Sequence, residues 1–263
     1  MIITFLSDYG LTDAFVGVCH AVIGGVCPDA RVIDLSHGVP RGDVRAGALM
    51  LSGALPYLPI GVHLAVVDPG VGSERRAVAL RTADGRQFVG PDNGLLSLSF
   101  EAGGGVAEAV DIGSSPFALQ PTSTTFHGRD IFAPVAARLA GGVALGEVGS
   151  PCDPGGVVRL ELPRASVEDG VLVAHAVYVD RFGNVQLDGV GEAFGFTPGQ
   201  SVAISVHGES WPGVYGRTFA DAGVGELLVY EDSDRLFAVA VNQGSAAGRL
   251  GVSVGDELRI ALA

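Results

Sequence analysis

Short β-branched apolar runs alternate with segments of helical length through the first half of this chain. Ile2–Leu6, Val32–Leu35 and Val62–Val67 read as buried strands. Between them, Asp13–Gly25 and Asp43–Leu55 have the length and the small-residue faces of packed helices. A strand that returns parallel to its predecessor needs a crossover, so this alternation predicts βαβ units and a mainly parallel sheet. Asp13 and Asp43 stand where N-caps or first-turn acids belong. Ala77–Arg81 and Arg86–Val89 flank Asp84-Gly85, a hairpin turn. A further helix over Ile131–Ala140 stops at Gly141-Gly142.

The character changes over Gly146–Ser166, where Pro151, Pro154, Gly155, Gly156 and Pro163 read as a linker. Beyond it the pattern is mainly of strands: Val171–Val179, Ser201–Val206, Glu226–Tyr230, Leu236–Val241 and Glu257–Leu262. The expected organisation is an α/β, Rossmann-like N-terminal domain over 1–152, a linker over 153–165 and a small all-β barrel domain over 166–263.

Composition narrows the chemistry. All 16 basic residues among the 263 are arginine; there is no lysine. Schiff-base enzymes and ordinary P-loop NTPases are thereby excluded. A net charge of −13 with dispersed arginines is the opposite of a nucleic-acid-binding surface. No basic region precedes the first apolar run and no stretch has the length of a membrane span, so neither a signal peptide nor a membrane partner is expected. Cys19, Cys27 and Cys152 have no metal-ligand spacing and read as free thiols in a cytoplasmic protein.

Ligands of parallel α/β sheets bind outside the carboxyl ends of the strands. The first strand runs into Ser7-Asp8-Tyr9-Gly10, with Asp13 beyond. Val62–Val67 runs into Asp68-Pro69-Gly70-Val71-Gly72, then Arg75-Arg76. The hairpin ends in Gly90-Pro91-Asp92-Asn93-Gly94, and Thr122–Thr125 leads to Phe126-His127-Gly128-Arg129-Asp130. In the second half, Asp180-Arg181-Phe182-Gly183-Asn184 follows an apolar strand. Each of these residues also has a plain structural role as cap, turn former or surface charge; the functional reading rests on their joint occurrence. Gly70-Val71-Gly72 lacks the third glycine of a dinucleotide fingerprint, because Arg75 stands there. Asp8, Asp68 and His127 come singly and beside an arginine, which disfavours a metal. The other five histidines read as structural.

These segments, with Thr218-Phe219-Ala220-Asp221 and Val241-Asn242-Gln243-Gly244, run in order across nearly the whole chain. Together they resemble the S-adenosylmethionine hydroxide adenosyltransferase family, relatives of chlorinases and fluorinases. The resemblance implies a Rossmann-like domain followed by a β-barrel, and a homotrimer with active sites at subunit interfaces. It also implies hydrolysis of S-adenosyl-L-methionine to adenosine and L-methionine without any cofactor. The family's Asp-Arg-His set falls on Asp68, Arg75 and His127. Asp8 is implied to accept from the ribose hydroxyls. Asp13, Asp180 and Ser233 fall near the methionine end. Asn184, Phe219, Asn242 and Gln243 fall near adenine, and Gly128 and Phe182 also lie in matched binding segments. Two positions depart from the pattern. Gly42 stands where relatives often carry a bulky aromatic, and Asp234 stands where some carry arginine.

The sulfonium leaves without acid assistance, so the difficulty lies in the nucleophile. The expectation is that Asp68 and His127 orient a water and take up its proton, with Arg75 fixing the carboxylate and stabilising developing charge. Two other readings stay open: a halogenase making 5′-halo-adenosine, and a nucleoside-binding protein without turnover.

Overall fold

The two faces of the first strands set the architecture of the N-terminal half. In the computed structural model, which describes residues 1–190 and 195–263, β1 (Ile2–Ser7) pairs in parallel with β2 (Arg31–Ser36) and β3 (Val62–Val66). The crossovers are α1 (Phe15–Val26) and α2 (Val44–Ala54). Side chains alternate across a strand. Ile3 and Phe5 of β1 and Leu64 and Val66 of β3 therefore share one face with Val16, Cys19 and Ile23 of α1. Val135, Ala136 and Leu139 of α4 (Ala133–Ala140) join the same core. The opposite side carries α2, packed against α3 (Ser97–Ala102). Gly47 makes that packing close, since a Cβ there would stand 2.8 Å from Leu95.

The sheet order is β2-β1-β3-β5-β4-β6-β7. It is parallel only as far as β5 (Gln87–Pro91), a narrower parallel region than the alternation suggests. From there β4 (Ala77–Thr82), β6 (Val106–Asp111) and β7 (Ser150–Pro151) all pair antiparallel. The cause is local: the Asp84-Gly85 turn, with Gly85 at φ +90°, reverses the chain without a crossover. Asp43 caps α2, its carboxylate accepting from the Ala46 N–H at 2.9 Å. Asp13 does not cap α1; Ala14 holds that position, and Asp13 is exposed.

The chain divides into two compact units, Met1–Leu160 and Glu161–Ala263. In the second, β9 (Val171–Val179), β10 (Val185–Val190), β11 (Ser201–Val206), β12 (Glu209–Tyr215), β13 (Leu227–Glu231), β14 (Leu236–Val241) and β15 (Glu257–Leu262) close into a barrel. Closure comes from β10, which pairs with both β14 and β9; β8 (Ser166–Glu168) only extends β9. Leu172, Ala174, Val202, Ile204, Val229, Phe237, Val239 and Leu258 fill the interior at every second position. Closing the sheet removes the unpaired edges that an open one would expose. Among the described residues no helix is long and apolar enough to cross a membrane.

Among the buried polar groups of the first unit is a histidine. His63 on β3 is 1% exposed, and its Nδ1 is 2.8 Å from Oγ1 of Thr4. Burial, reinforced by Arg86, lowers its pKa from 6.5 to about 4. As pH falls, the unfolded chain takes up this proton before the folded one does. Stability from the neutral ring is thus complete above 6.5 and lost on the way to 4, by about 3 kcal/mol. Denaturant unfolding between pH 7 and 4 should show this loss in the wild type and a shallower one in His63→Gln; equal slopes would remove His63 as the cause.

Candidate active site

Because β1 and β3 are neighbours, the loops that follow them emerge side by side. This is also where the strand order reverses direction, β1 leading out to β2 and β3 to β5. Such switch points are the ligand sites of open α/β sheets. Asp8 directly follows β1, and Asp68 lies just beyond β3. Oδ2 of Asp8 accepts the Gly42 N–H at 2.8 Å, from a glycine held at φ +73°. The position that departs from the family's aromatic residue thus offers a backbone donor to Asp8.

Arg75 joins the other two predicted catalytic residues. Its Nε donates to Oδ1 of Asp68 at 2.8 Å and its Nη2 to Oδ2, a two-pronged pairing. The same Nη2 lies 2.9 Å from Nδ1 of His127. The side chains of Arg75 and Asp68 are only 11% and 6% exposed, so the pair is largely removed from water. The Arg75 guanidinium also sits over the Phe132 ring, 5.3 Å from its centre. A guanidinium nitrogen can only donate, so Nδ1 of His127 must accept. The proton of the neutral ring then sits on Nε2. Burial first, and Arg75 second, hold His127 below its ordinary 6.5.

The loop that carries His127 is fixed from several sides. Gly128–Phe132 forms a π-helical turn running into α4, so the helix expected over Ile131–Ala140 begins earlier and with wider geometry. Such turns recur at functional sites. Asp130 is 2% exposed and accepts from Arg129 at 2.6 and 2.8 Å and from the Ser123 N–H at 2.8 Å. Gly72, at φ +78°, lies so close to the Thr124 carbonyl that any Cβ would overlap it. A Cβ on Gly128 would likewise overlap the Tyr9 hydroxyl. Tyr9 packs edge-on to Phe126 at 5.7 Å; burial first, then Cys19, Asp8 and Asp68, raise its pKa well above 10.0. It stays a neutral phenol beside the predicted catalytic groups. No pattern singles out a tyrosine between an aspartate and a glycine, and only the Gly128 contact reveals its place.

Asp92 proves to be a tie within the fold. It is 6% exposed, pairs with Arg76 at 2.6 Å and accepts the Val158 N–H at 2.8 Å. Asn93 donates to the Val67 carbonyl at 2.9 Å and so steadies the loop after β3.

The second unit gathers most of its own candidates at one end of the barrel. Oδ1 of Asp180 accepts from the Phe182 and Asn184 N–H groups at 2.8 and 2.9 Å, and its Oδ2 from the Asn184 side chain at 2.8 Å. Gly183, at φ +81°, completes this turn. Phe182 and Phe219 are 67% and 46% exposed, large apolar rings open to a ligand. Phe219 meets Tyr230 at 5.3 Å. Asn242 donates to the Ala222 carbonyl at 2.7 Å, near the Phe219 turn, and Gln243 follows at φ +59°. Ser233 is exposed in the turn between β13 and β14, beside Asp234.

Residues 3–149 match the SAM hydroxide adenosyltransferase N-terminal domain, and residues 174–259 match the C-terminal domain. The chain belongs to this family. It is 50% identical over 258 residues to an (R)-S-adenosyl-L-methionine hydrolase of Salinispora arenicola, covering 98% of this chain and 97% of the relative. A fluorinase of Actinopolyspora mzabensis is 28% identical over 292 residues, covering 98% and 96%. Among solved structures, an uncharacterized conserved protein of Thermotoga maritima superposes with a TM-score of 0.92 at 37% identity, covering 98% of this chain and 99% of that one.

The hydrogen-bond geometry predicts a defined tautomer. In long-range proton–nitrogen NMR spectra at pH 7.5, His127 should appear as neutral Nε2–H and should titrate below 6.5. Arg75→Gln should raise that midpoint. A wild-type Nδ1–H ring would mean that the Arg75–His127 contact is not made in solution.

Proposed function

We propose that the protein hydrolyses S-adenosyl-L-methionine to adenosine and L-methionine. The observation that carries this reading is the junction of Asp68, Arg75 and His127 through one guanidinium, in a chain half identical to a relative named as such a hydrolase. A protein that only held a nucleoside would have no use for a buried carboxylate and a neutral imidazole braced by one cation.

Water attacks C5′ of the ribose, the C5′–S bond breaks, and its electron pair returns to sulfur as the neutral thioether of methionine. One proton is released from the water. The geometry divides the work differently from the pattern-based expectation. His127 offers Nε2–H, so it donates to the water oxygen and orients it, while Asp68 takes the proton. A strong base is unnecessary. Once the C–O bond has begun to form, the attacking water becomes strongly acidic and a carboxylate suffices. Orienting the water in line can contribute as much as the proton transfer, which is typically worth about 10²–10⁴-fold. Arg75 holds both partners at once and so fixes the acceptor and the donor relative to the water.

The binding roles follow the family pattern. Asp8, placed by Gly42, takes the ribose hydroxyls, and Gly128 leaves the space that the Tyr9 hydroxyl defines. Asp13, Asp180 and Ser233 serve the methionine end; Phe182, Asn184, Phe219, Asn242 and Gln243 serve adenine. Asp180 already accepts three hydrogen bonds within its turn, so it acts through its charge and through the shape it gives that turn. Carboxylates near a sulfonium are electrostatically favourable in a poorly solvated pocket. The reaction requires no cofactor, because the leaving group carries its own positive charge. The working form in this reading is a cytoplasmic homotrimer with sites at subunit interfaces.

The deciding experiment incubates purified protein with each sulfonium diastereomer of the substrate, with and without chloride, and separates the nucleosides. Adenosine should form at a rate independent of chloride, preferentially from the R diastereomer that the Salinispora relative's name specifies. A 5′-halogenated adenosine would establish a halogenase instead, and retained adenosine without product a binding protein. Asp68→Ala should lower kcat by at least about 10²-fold while calorimetric adenosine affinity stays near the wild-type value. Undiminished turnover would take Asp68 out of the mechanism.

A further inference from the structure

The β1–α1–β2 unit holds a second convergence of polar groups that the reaction does not use. His20 lies on α1, Asp34 on β2 and His37 in the loop after β2. Nε2 of His20 is 2.8 Å from Oδ1 of Asp34, and Nε2 of His37 is 3.1 Å from the same oxygen. All three ligand atoms lie within 4.8 Å of one another. Among the described residues this is the one group of three or more His, Cys, Asp or Glu that converges in this way.

We propose that His20, Asp34 and His37 form a binding site for a divalent transition-metal ion of borderline softness, such as zinc. Two imidazole nitrogens and one carboxylate oxygen make a donor set that suits zinc or cobalt and does not suit magnesium or calcium, which take oxygen ligands. Three protein ligands leave a fourth position for water, which the partly exposed His20 and Asp34 make accessible.

A second observation, independent of that spacing, points to a ligand at the site. The His37 side chain is 2% exposed, and its Nε2 is buried with no hydrogen-bond partner: the approach to Asp34 is near enough for attraction but poorly aligned for a bond. An ion in the group would give this nitrogen a bond. The opposite side of the ring is already set for ligation. Nδ1 of His37 is 2.7 Å from Oγ of Ser7, an oxygen partner that can accept the Nδ1 proton and leave Nε2 free to coordinate. Phe5 forms the floor, its ring 4.7 Å from His37 and 6.1 Å from His20. A register shift between Phe5 and Leu6 in the β1–β2 pairing falls just before His37. Such irregularities re-aim side chains.

The site also adjoins the loop that carries Asp8. Oγ of Ser7 receives the Tyr9 N–H at 3.3 Å, and the His37 carbonyl receives the Gly10 N–H at 2.7 Å. A metal bound here braces that loop from behind and takes no part in the displacement.

The test uses tag-free protein, stripped with chelator and dialysed, then titrated with cobalt(II) and, separately, zinc chloride. Calorimetry should show one saturable equivalent, and cobalt should develop visible bands of a four- or five-coordinate nitrogen–oxygen site. His20→Ala and Asp34→Asn should each weaken binding by at least about tenfold. Both replace partly exposed side chains, and circular dichroism of the metal-free variants should match the wild type. The absence of a saturable equivalent in the wild type would overturn the proposal, as would equal affinity in folded His20→Ala. Should either variant not fold, the wild-type cobalt spectrum decides: octahedral aquo-like bands would overturn the site.

Discussion

One guanidinium fixes the electrostatics of this site. Arg75 cannot give up its proton, so each neighbour must adapt to a permanent cation. Asp68 meets it as a carboxylate, with both oxygens engaged. His127 meets it with a lone pair, which settles where the imidazole proton resides. The division of labour between acceptor and donor is therefore not a property of the aspartate or the histidine alone. A lysine in the same place would reach one partner as a point charge and could not grip the carboxylate with two parallel bonds while touching the ring. In a chain whose every cation other than histidine and the amino terminus is arginine, that choice has an evident chemical meaning here.

The scaffold holds this junction by close backbone approaches as much as by side chains. The loop after β3 meets the Thr122–Thr125 loop at Gly72, where only a residue without a Cβ fits. The latter loop is pinned in turn by buried Asp130, whose carboxylate takes the Ser123 N–H and both prongs of Arg129. Parallel strands end at the same level, so two loops begin together, and the short hairpin between β4 and β5 leaves that edge uncluttered. The antiparallel half of the sheet serves to anchor. Arg76, next to Arg75, reaches Asp92 after β5, and Asp92 accepts from the Val158 amide.

Much of this was legible in the residues. β-branched runs gave the ends of β1, β3, β9, β11, β14 and β15 to within a residue or so, because each faces a core on at least one side. β10 and β12 were hidden. In one, Val185 and Leu187 alternate with Gln186 and Asp188 for only four residues before Gly189, and in the other Ser210, Pro212 and Gly213 interrupt the apolar pattern. Pairing on both sides keeps them extended nonetheless. The joint presence of Asp68, Arg75 and His127 could be read from motif order, but not which nitrogen of His127 is protonated, since that depends on a contact spanning 52 positions. Tyr9 and the His20–Asp34–His37 group were invisible for a related reason. Their partners are brought together by the β1–α1–β2 crossover and by the π-helical turn, and neither leaves a spacing signature.

The contact between Tyr9 and Gly128 has a consequence for how such a site changes over generations. The volume that a side chain at position 128 would need is already taken by the Tyr9 hydroxyl. A lineage that reshapes this wall to receive a different nucleophile cannot begin at position 128. It must first shrink or displace the tyrosine, which also packs against Phe15 and Phe126. Substitutions at these two positions are therefore ordered: one is permissive and the other is harmful until it has occurred.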